Sequence, residues 1–154
     1  MTMLHSTSTP VGSLPADALA RLDDLATTAG FVAGDVILRE AALVPFLGIV
    51  ERGRVALRLF VPGRGNVTIV TVEPGELVGW SAVVSPYRAT AQAVAVESVS
   101  LTTYDAVAMR ARLDTDRDLA ATLLPALLAA VSDRLTTSWH QLLDVFGSPA
   151  VDPW

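Results

Sequence analysis

The chain has 154 residues, a hydrophobic fraction of 51% and a net charge of −5, which predicts one domain with its own core. It contains no cysteine and only two histidines, so we expect neither disulfides nor a metal site. Acidic residues outnumber basic ones 16 to 11, which disfavours binding along a nucleic-acid backbone. The sequence shows no secretory signal and no apolar run of the roughly 20 residues that cross a bilayer, so we predict a cytoplasmic protein without membrane contact.

The N-terminal region predicts a leader followed by a packing helix. Residues 1–12 are rich in Ser and Thr, and we expect them to be flexible, with the folded domain occupying residues 13–146. Ser13 and Pro15 are a cap and a first-turn proline, which predicts a helix up to about Thr28. The inner face of this helix is predicted to contain Leu19, Leu22, Leu25 and Ala26.

The middle of the chain has the pattern of a β-protein. Short runs rich in Val, Ile, Leu and Thr are separated by glycine turns. The predicted strands lie at residues 31–32, 36–38, 46–50, 55–60, 67–72, 90–96 and 99–103. Many short strands at this spacing predict a mainly β fold of the jelly-roll type, a double-stranded β-helix with flanking helices.

The segment from Gly75 to Ala91 differs from the rest because its residue types suit a ligand. Gly79 precedes a one-turn apolar stretch, and Arg88 stands directly before Ala89-Thr90-Ala91. A guanidinium group pairs with two oxygens of a phosphate, and small side chains let backbone N–H groups approach the remaining oxygens. We therefore expect Arg88 to point inward, toward a hollow lined by backbone donors of residues 79–82.

This segment resembles the phosphate-binding cassette of cyclic nucleotide-binding domains of the catabolite activator (Crp/Fnr) type. The matching residues are Gly79, Ala82, Arg88, Ala89 and Thr90. The resemblance implies a β-roll, no catalytic activity and no cofactor, and a cyclic nucleotide or other phosphate-bearing ligand. It implies ligand-binding roles for Gly79, Trp80, Ser81, Ala82, Arg88, Ala89 and Thr90.

Trp80 departs from the family pattern, which has a glutamate that accepts the ribose 2′-hydroxyl. An indole offers one donor and no acceptor, so we expect weakened or altered cyclic AMP binding. Arg88 also has another interpretation, because a lone arginine in this position can be a solvated edge residue or can pair with Glu73 or Glu97.

The C-terminal part predicts a short helix at residues 105–113 and a long one at 116–146. Residues of the long helix recur at alternating spacings of four and three, namely Leu124, Leu128, Val131, Leu135, Ser138, Leu142 and Val145. A second stripe that can face the β-roll contains Leu119, Leu123, Leu127, Ala130 and Arg134. One helix with two apolar stripes predicts a parallel homodimer through Leu124, Leu128, Val131, Leu135 and Leu142. Pro125 is expected to kink or restart the helix, so that the dimerising part begins there.

Ser138 and Trp139 lie where helix residues of the resembling family close over the base. Trp139 is either a stacking lid or an interface anchor, and we favour the anchor. Residues 147–154 form a short tail, which leaves no room for the helix-turn-helix module of a regulator, so we expect a stand-alone domain that does not bind DNA.

Two functions remain open from the sequence. Arg88 favours a dimeric sensor of an anionic, nucleotide-like ligand that acts on an unknown protein partner. Trp80 favours a ligand-free dimeric interaction or scaffolding module with a degenerate pocket. A β-barrel enzyme would need a cluster of histidines that this chain lacks, so we expect a non-enzyme.

Overall fold

The structure is a computed structural model that describes residues 14–146 of the chain. The predicted leader 1–12, Ser13 and the predicted tail 147–154 lie outside the described residues. The chain forms eight strands in two antiparallel sheets, followed by a long C-terminal helix, which confirms the predicted β-roll. The first sheet has the order β1-β8-β3-β6 and the second has the order β2-β7-β4-β5.

The eight strands are β1 (Ala26–Phe31), β2 (Val36–Leu38), β3 (Phe46–Arg52), β4 (Val55–Val61), β5 (Gly65–Val72), β6 (Leu77–Val78), β7 (Gln92–Ala95) and β8 (Val99–Asp105). The three helices are α1 (Ala16–Arg21), α2 (Ala106–Thr115) and α3 (Arg117–Phe146). Hydrophobic side chains from both sheets and all three helices form one core. Burial of apolar area at roughly 25 cal/mol per Å² makes this core the main source of stability.

The first helix is shorter than predicted. It ends at Arg21, a single 3-10 turn spans Asp23–Leu25, and β1 then begins at Ala26. Thr27 and Thr28 lie opposite Thr103 and Thr102 of β8, and the Thr27 and Thr103 hydroxyls are 3.2 Å apart. β-branched residues pack better in a sheet than in a helix, so Thr27 and Thr28 belong to β1 and not to the helix.

Two aspartates begin the C-terminal helices. The Asp105 carboxylate accepts a hydrogen bond from the Ala108 N–H at 3.0 Å, and the Asp116 carboxylate accepts one from the Leu119 N–H at 3.0 Å. These bonds satisfy N–H groups that have no partner inside the helix. The bond from Leu119 and the guanidinium of Arg21 lower the pKa of Asp116.

Helix α3 is continuous through Pro125, so the predicted restart of the helix at this residue is wrong. Leu119, Leu123 and Leu127 on either side of the proline are buried against the roll. Their burial offsets the loss of one backbone hydrogen bond. The stripe predicted to face the β-roll is therefore confirmed at these positions and at Ala130.

By length and composition alone, the segment Arg117–Asp144 of α3 is also capable of crossing a bilayer, since an 18-residue window within it has a mean hydropathy of 1.3. A single helix of this kind is weak support for a membrane span, because core helices of soluble domains have the same composition. Here one face of its first half, which includes Leu119, Leu123 and Leu127, contributes to the core of the domain, and the opposite face is exposed.

Candidate ligand-binding site

The turn after β6 is fixed by Gly79. Its φ is +81°, in the left-handed region, and it precedes a 3-10 turn over Trp80–Val83. A Cβ atom at this position would lie 2.6 Å from the Phe46 carbonyl oxygen of β3. Both the backbone conformation and the close approach therefore require glycine here. Ser81 and Ala82 are buried beyond it, so the turn is packed into the domain.

The end of this turn is tied to α2 by Arg110. The Arg110 Nη1 atom donates a hydrogen bond to the Ala82 carbonyl at 2.8 Å, and its guanidinium lies 4.2 Å from the centroid of the Tyr87 ring. The stacked cation and the hydrogen bond hold the turn and the segment after it in one position. The sequence reasoning had not assigned a role to Arg110.

Arg88 does not point into the domain, so the predicted inward orientation is wrong. Its side chain is exposed, and its Nη1 atom donates a hydrogen bond to the Ala41 carbonyl at 2.9 Å. Arg88 forms a β-bridge with Leu43, and the N–H of Ala89 donates to the Ala42 carbonyl. Neighbouring residues of an extended segment point to opposite sides, and Ala89 occupies the inner side.

The two carboxylates proposed as partners of Arg88 are not engaged by it in the described part of the chain. Glu97 instead pairs with Arg54, at 3.1 Å between Nε and Oε1. Neither Glu73 nor Glu97 accepts a hydrogen bond from Arg88 among residues 14–146. The Arg88 guanidinium therefore ties its own segment to the loop before β3.

Beside the turn lies a small recess with a cavity volume of about 30 Å³, open on one side. It contains five of the predicted site residues, which are Gly79, Trp80, Ser81, Ala89 and Thr90. Arg88 is not part of its lining, and Ala82 is buried behind it. The remaining lining residues are Leu38, Val44, Leu57, Ala91 and Arg134.

A larger and mainly apolar cavity of about 380 Å³ adjoins this recess between the roll and α3. The two cavities share Leu57, Trp80, Thr90, Ala91 and Arg134. Ser138 and Trp139 also line the larger cavity. The Ser138 hydroxyl donates to the Arg134 carbonyl at 2.7 Å, while Trp139 is 58% exposed at the rim.

Arg134 is the residue of this site that sequence reasoning assigned only to packing. Its Nη2 atom donates a hydrogen bond to the Leu77 carbonyl at 2.6 Å, which holds α3 on β6. None of the salt bridges within residues 14–146 involves this guanidinium. Burial lowers the pKa of Arg134, because the apolar surroundings disfavour its charge. The signal in the sequence was a charged residue that continues an otherwise apolar stripe.

Glu76 lies on the other side of Arg134, in a cavity that the two residues line together. Desolvation by burial raises the pKa of Glu76, and the positive charge of Arg134 opposes this shift. A carboxyl whose pKa is raised by folding destabilises the folded state when it is ionised. The protonated carboxyl of Glu76 therefore contributes its full stabilisation below the pKa of the unfolded chain. This stabilisation is lost as the pH rises through the pKa of Glu76 in the folded state.

We expect Glu76→Gln to remove this pH dependence. The variant should unfold at a higher temperature than the wild type at pH 7, and the two should converge toward pH 4, because the wild-type carboxyl is then protonated. Melting temperatures of both proteins across this pH range test the expectation. A variant that is less stable at pH 7 would show that the ionised carboxylate stabilises the fold through Arg134.

The predicted dimer seam is divided between two environments. Leu124, Leu128 and Leu135 carry exposed apolar surface, and Leu128 is 70% exposed. Val131, Leu135 and Leu142 line the large cavity beside the roll.

Within residues 14–146, no group of three or more His, Asp or Glu side chains is placed to hold a metal ion.

Residues 14–146 thus form a β-roll whose glycine-initiated turn lies beside a small recess and whose C-terminal helix borders a larger apolar cavity. Residues 30–116 match the family model described as the cyclic nucleotide-binding domain. This match covers more than half of the chain, which therefore belongs to the cyclic nucleotide-binding domain family, a regulatory family.

Solved structures with the same fold agree with this assignment, and transcriptional regulators are among them. A protein from Geobacter metallireducens assigned to the cyclic nucleotide-binding proteins is 27% identical, with a TM-score of 0.68 over 80% of this chain and 89% of that one. The N-terminal domain of a Streptomyces coelicolor transcriptional regulator is 26% identical, with a TM-score of 0.63 over 81% and 86%.

The catabolite activator protein of Thermus thermophilus is 23% identical and shares the fold, with a TM-score of 0.65 over 87% of this chain and 61% of that one. No curated protein matches the chain in sequence.

Proposed function

We propose that this domain is a non-catalytic, cytoplasmic sensor of a small anionic ligand that binds between the roll and α3. The observation that carries the proposal is Arg134, a partly buried guanidinium that forms no salt bridge within residues 14–146 and lies at the wall shared by both cavities. Glu76 and Asp133 partly compensate its charge from the neighbouring cavity. Burial still disfavours the cation, and an anionic ligand on its apolar side offsets that cost. The predicted anion contact thus moves from Arg88 to Arg134.

Ligand binding in this position has a direct route to α3. Arg134 belongs to α3 and bonds the carbonyl of Leu77, two residues before Gly79. A ligand that recruits this guanidinium weakens or redirects that bond and shifts the helix against the roll. The helix then transmits the event to a protein partner, in keeping with the regulatory family.

We propose that affinity for cyclic AMP is weakened, because Trp80 places an indole where an acceptor for the ribose is needed. Trp80→Glu should bind cyclic AMP about tenfold to a hundredfold more tightly than Trp80→Leu. Both variants remove the indole, so their difference isolates the acceptor. Isothermal titration calorimetry of the pair measures it, and equal affinities would mean that residue 80 does not contact the ribose.

The exposed apolar stripe of α3 supports a homodimer as the assembled form. Leu128→Asp should turn the wild-type dimer into a monomer, because it places a charge in the centre of the stripe. Val107→Asp is the matched control, since Val107 is equally exposed but lies on α2. Sedimentation at micromolar concentration compares them. A monomeric wild type, or loss of the dimer in both variants, contradicts the proposed interface.

The alternative is a ligand-free dimeric interaction or scaffolding module. Its support is the indole of Trp80 beside the recess and the outward orientation of Arg88. A screen of melting temperatures separates the two functions, because a ligand that binds only the folded state raises that temperature. The sensor predicts that at least one small anion stabilises the wild type and fails to stabilise Ala91→Trp, which fills the wall shared by the cavities. The alternative predicts no stabilisation.

A further inference from the structure

We propose that the ligand of the space under α3 is a monocarboxylate with an apolar body, such as a medium-chain fatty acid or an aryl-alkanoic acid. This inference rests on the proposed sensor function and specifies its ligand class. It follows from the apolar lining and the single cation of the joined cavities.

The lining of the larger cavity favours an apolar body. Leu57, Leu59, Ile69, Leu135 and Leu142 supply aliphatic surface there. Trp80 and Trp139 add two indoles, one between the cavities and one at the rim. A ribose carries hydroxyl groups that need acceptors, and this part of the lining offers mainly hydrocarbon.

The charge of the lining favours a single anionic group. Arg134 is the one ionisable side chain among the described residues that line these two cavities. The guanidinium uses its Nη2 atom toward Leu77, and a planar guanidinium pairs with a carboxylate through two parallel hydrogen bonds. A phosphate dianion has three terminal oxygens and a larger charge, which one arginine compensates only in part.

The polar groups near Arg134 fit the same ligand. Thr90 and Ser81 line the recess beside the guanidinium, and their hydroxyls are short donors for the second carboxylate oxygen. Glu76 and Asp133 line the neighbouring cavity, behind Arg134, so that their negative charges lie away from the apolar space. The carboxylate of the ligand is thus expected at Arg134, with its hydrocarbon directed toward Leu135 and Trp139.

Isothermal titration calorimetry with butyrate, octanoate and 4-phenylbutyrate tests the proposal, each beside the alcohol of the same carbon skeleton. Octanoate should bind more tightly than butyrate by about threefold to fourfold per added methylene, because each one transfers apolar surface out of water. Each acid should bind at least about tenfold more tightly than its alcohol, because only the acid pairs with the guanidinium.

Variants of Arg134 assign the site. Arg134→Gln should bring the affinities for acid and alcohol together, whereas Arg134→Lys should retain most of the preference for the acid. Arg88→Ala is the matched control and should leave both affinities unchanged, since Arg88 lies outside the lining. If Arg134→Gln does not fold, Ala91→Trp replaces it and should abolish binding of the acids.

The outcomes separate this inference from the proposed function. If cyclic AMP or inorganic phosphate binds and none of the acids does, the inference of a monocarboxylate ligand is wrong, but the proposed sensor function is unaffected. The absence of binding by the acids, cyclic AMP and phosphate overturns both. Equal binding of the acids by the wild type and Arg134→Gln, or no gain from butyrate to octanoate, shows that the acids bind elsewhere and overturns the inference.

Discussion

Gly79→Ala is expected to lower the free energy of unfolding by about 3 kcal/mol or more. A left-handed φ costs an alanine about 1–2 kcal/mol, and the new Cβ atom would in addition meet backbone, at 2.6 Å from the Phe46 carbonyl oxygen. Backbone cannot rotate away as a side chain can, so β3 and the turn must separate. The recess that begins at this turn is lost with the contact.

Gly75→Ala is the matched control for this expectation. Gly75 also has a positive φ, of +89°, but a Cβ atom there meets nothing within 4 Å. Both variants restrict the unfolded chain in the same way, so that contribution cancels in the comparison. Gly75→Ala should cost only about 1 kcal/mol, and urea denaturation measures both. Equal losses would show that the approach of the turn to β3 is not tight.

Leu123→Ala should destabilise the domain by about 2–5 kcal/mol. Leu123 is 0% exposed, and its truncation leaves a cavity between α3 and the roll. Leu128→Ala on the neighbouring face of the same helix should change stability by no more than about 0.5 kcal/mol, because that side chain is already in solvent.

The free energies of unfolding of Leu123→Ala and Leu128→Ala should be compared at protein concentrations so low that stability no longer depends on concentration. At higher concentration, Leu128→Ala should lose the additional stability that dimerisation gives the wild type. Denaturation of both variants at two concentrations separates the two faces of α3. Equal losses at the low concentration would mean that the helix docks in a different rotation.

Much of the fold follows from local signals in the sequence. Gly34, Gly53 and Gly63 have positive φ angles at turns between the strands that the short Val-, Ile-, Leu- and Thr-rich runs predicted. The inner stripe of α3 is also correct, since a helix period of 3.6 residues fixes which side chains share a face. Such patterns depend only on residues close together in the sequence, so they can be identified without knowing which distant segments pack against them.

The errors arise where distant segments decide the outcome. Thr27 and Thr28 become a strand because β8 lies beside them. Arg88 turns outward because Leu43 pairs with its backbone and Ala89 takes the inner position. Neither contact is visible in the order of residues along the chain.

The sequence also could not show that Arg134 lines the site. Its position in an apolar stripe marked it as facing the roll, but only the folded helix brings it to the wall next to Trp80 and Thr90. A resemblance based on the cassette placed the anion contact on Arg88, because that residue matches the family pattern. The geometry supports a contact on the helix that closes the site.

An anion bound to this domain is expected to contact the guanidinium of Arg134. Nuclear magnetic resonance of the arginine Nε–Hε groups tests it, with signals assigned through Arg134→Lys and Arg88→Ala and followed during titration with 4-phenylbutyrate. The Arg134 signal is expected to shift with saturation while the Arg88 signal stays in place. A shift confined to Arg88, or no shift at either arginine, would contradict it.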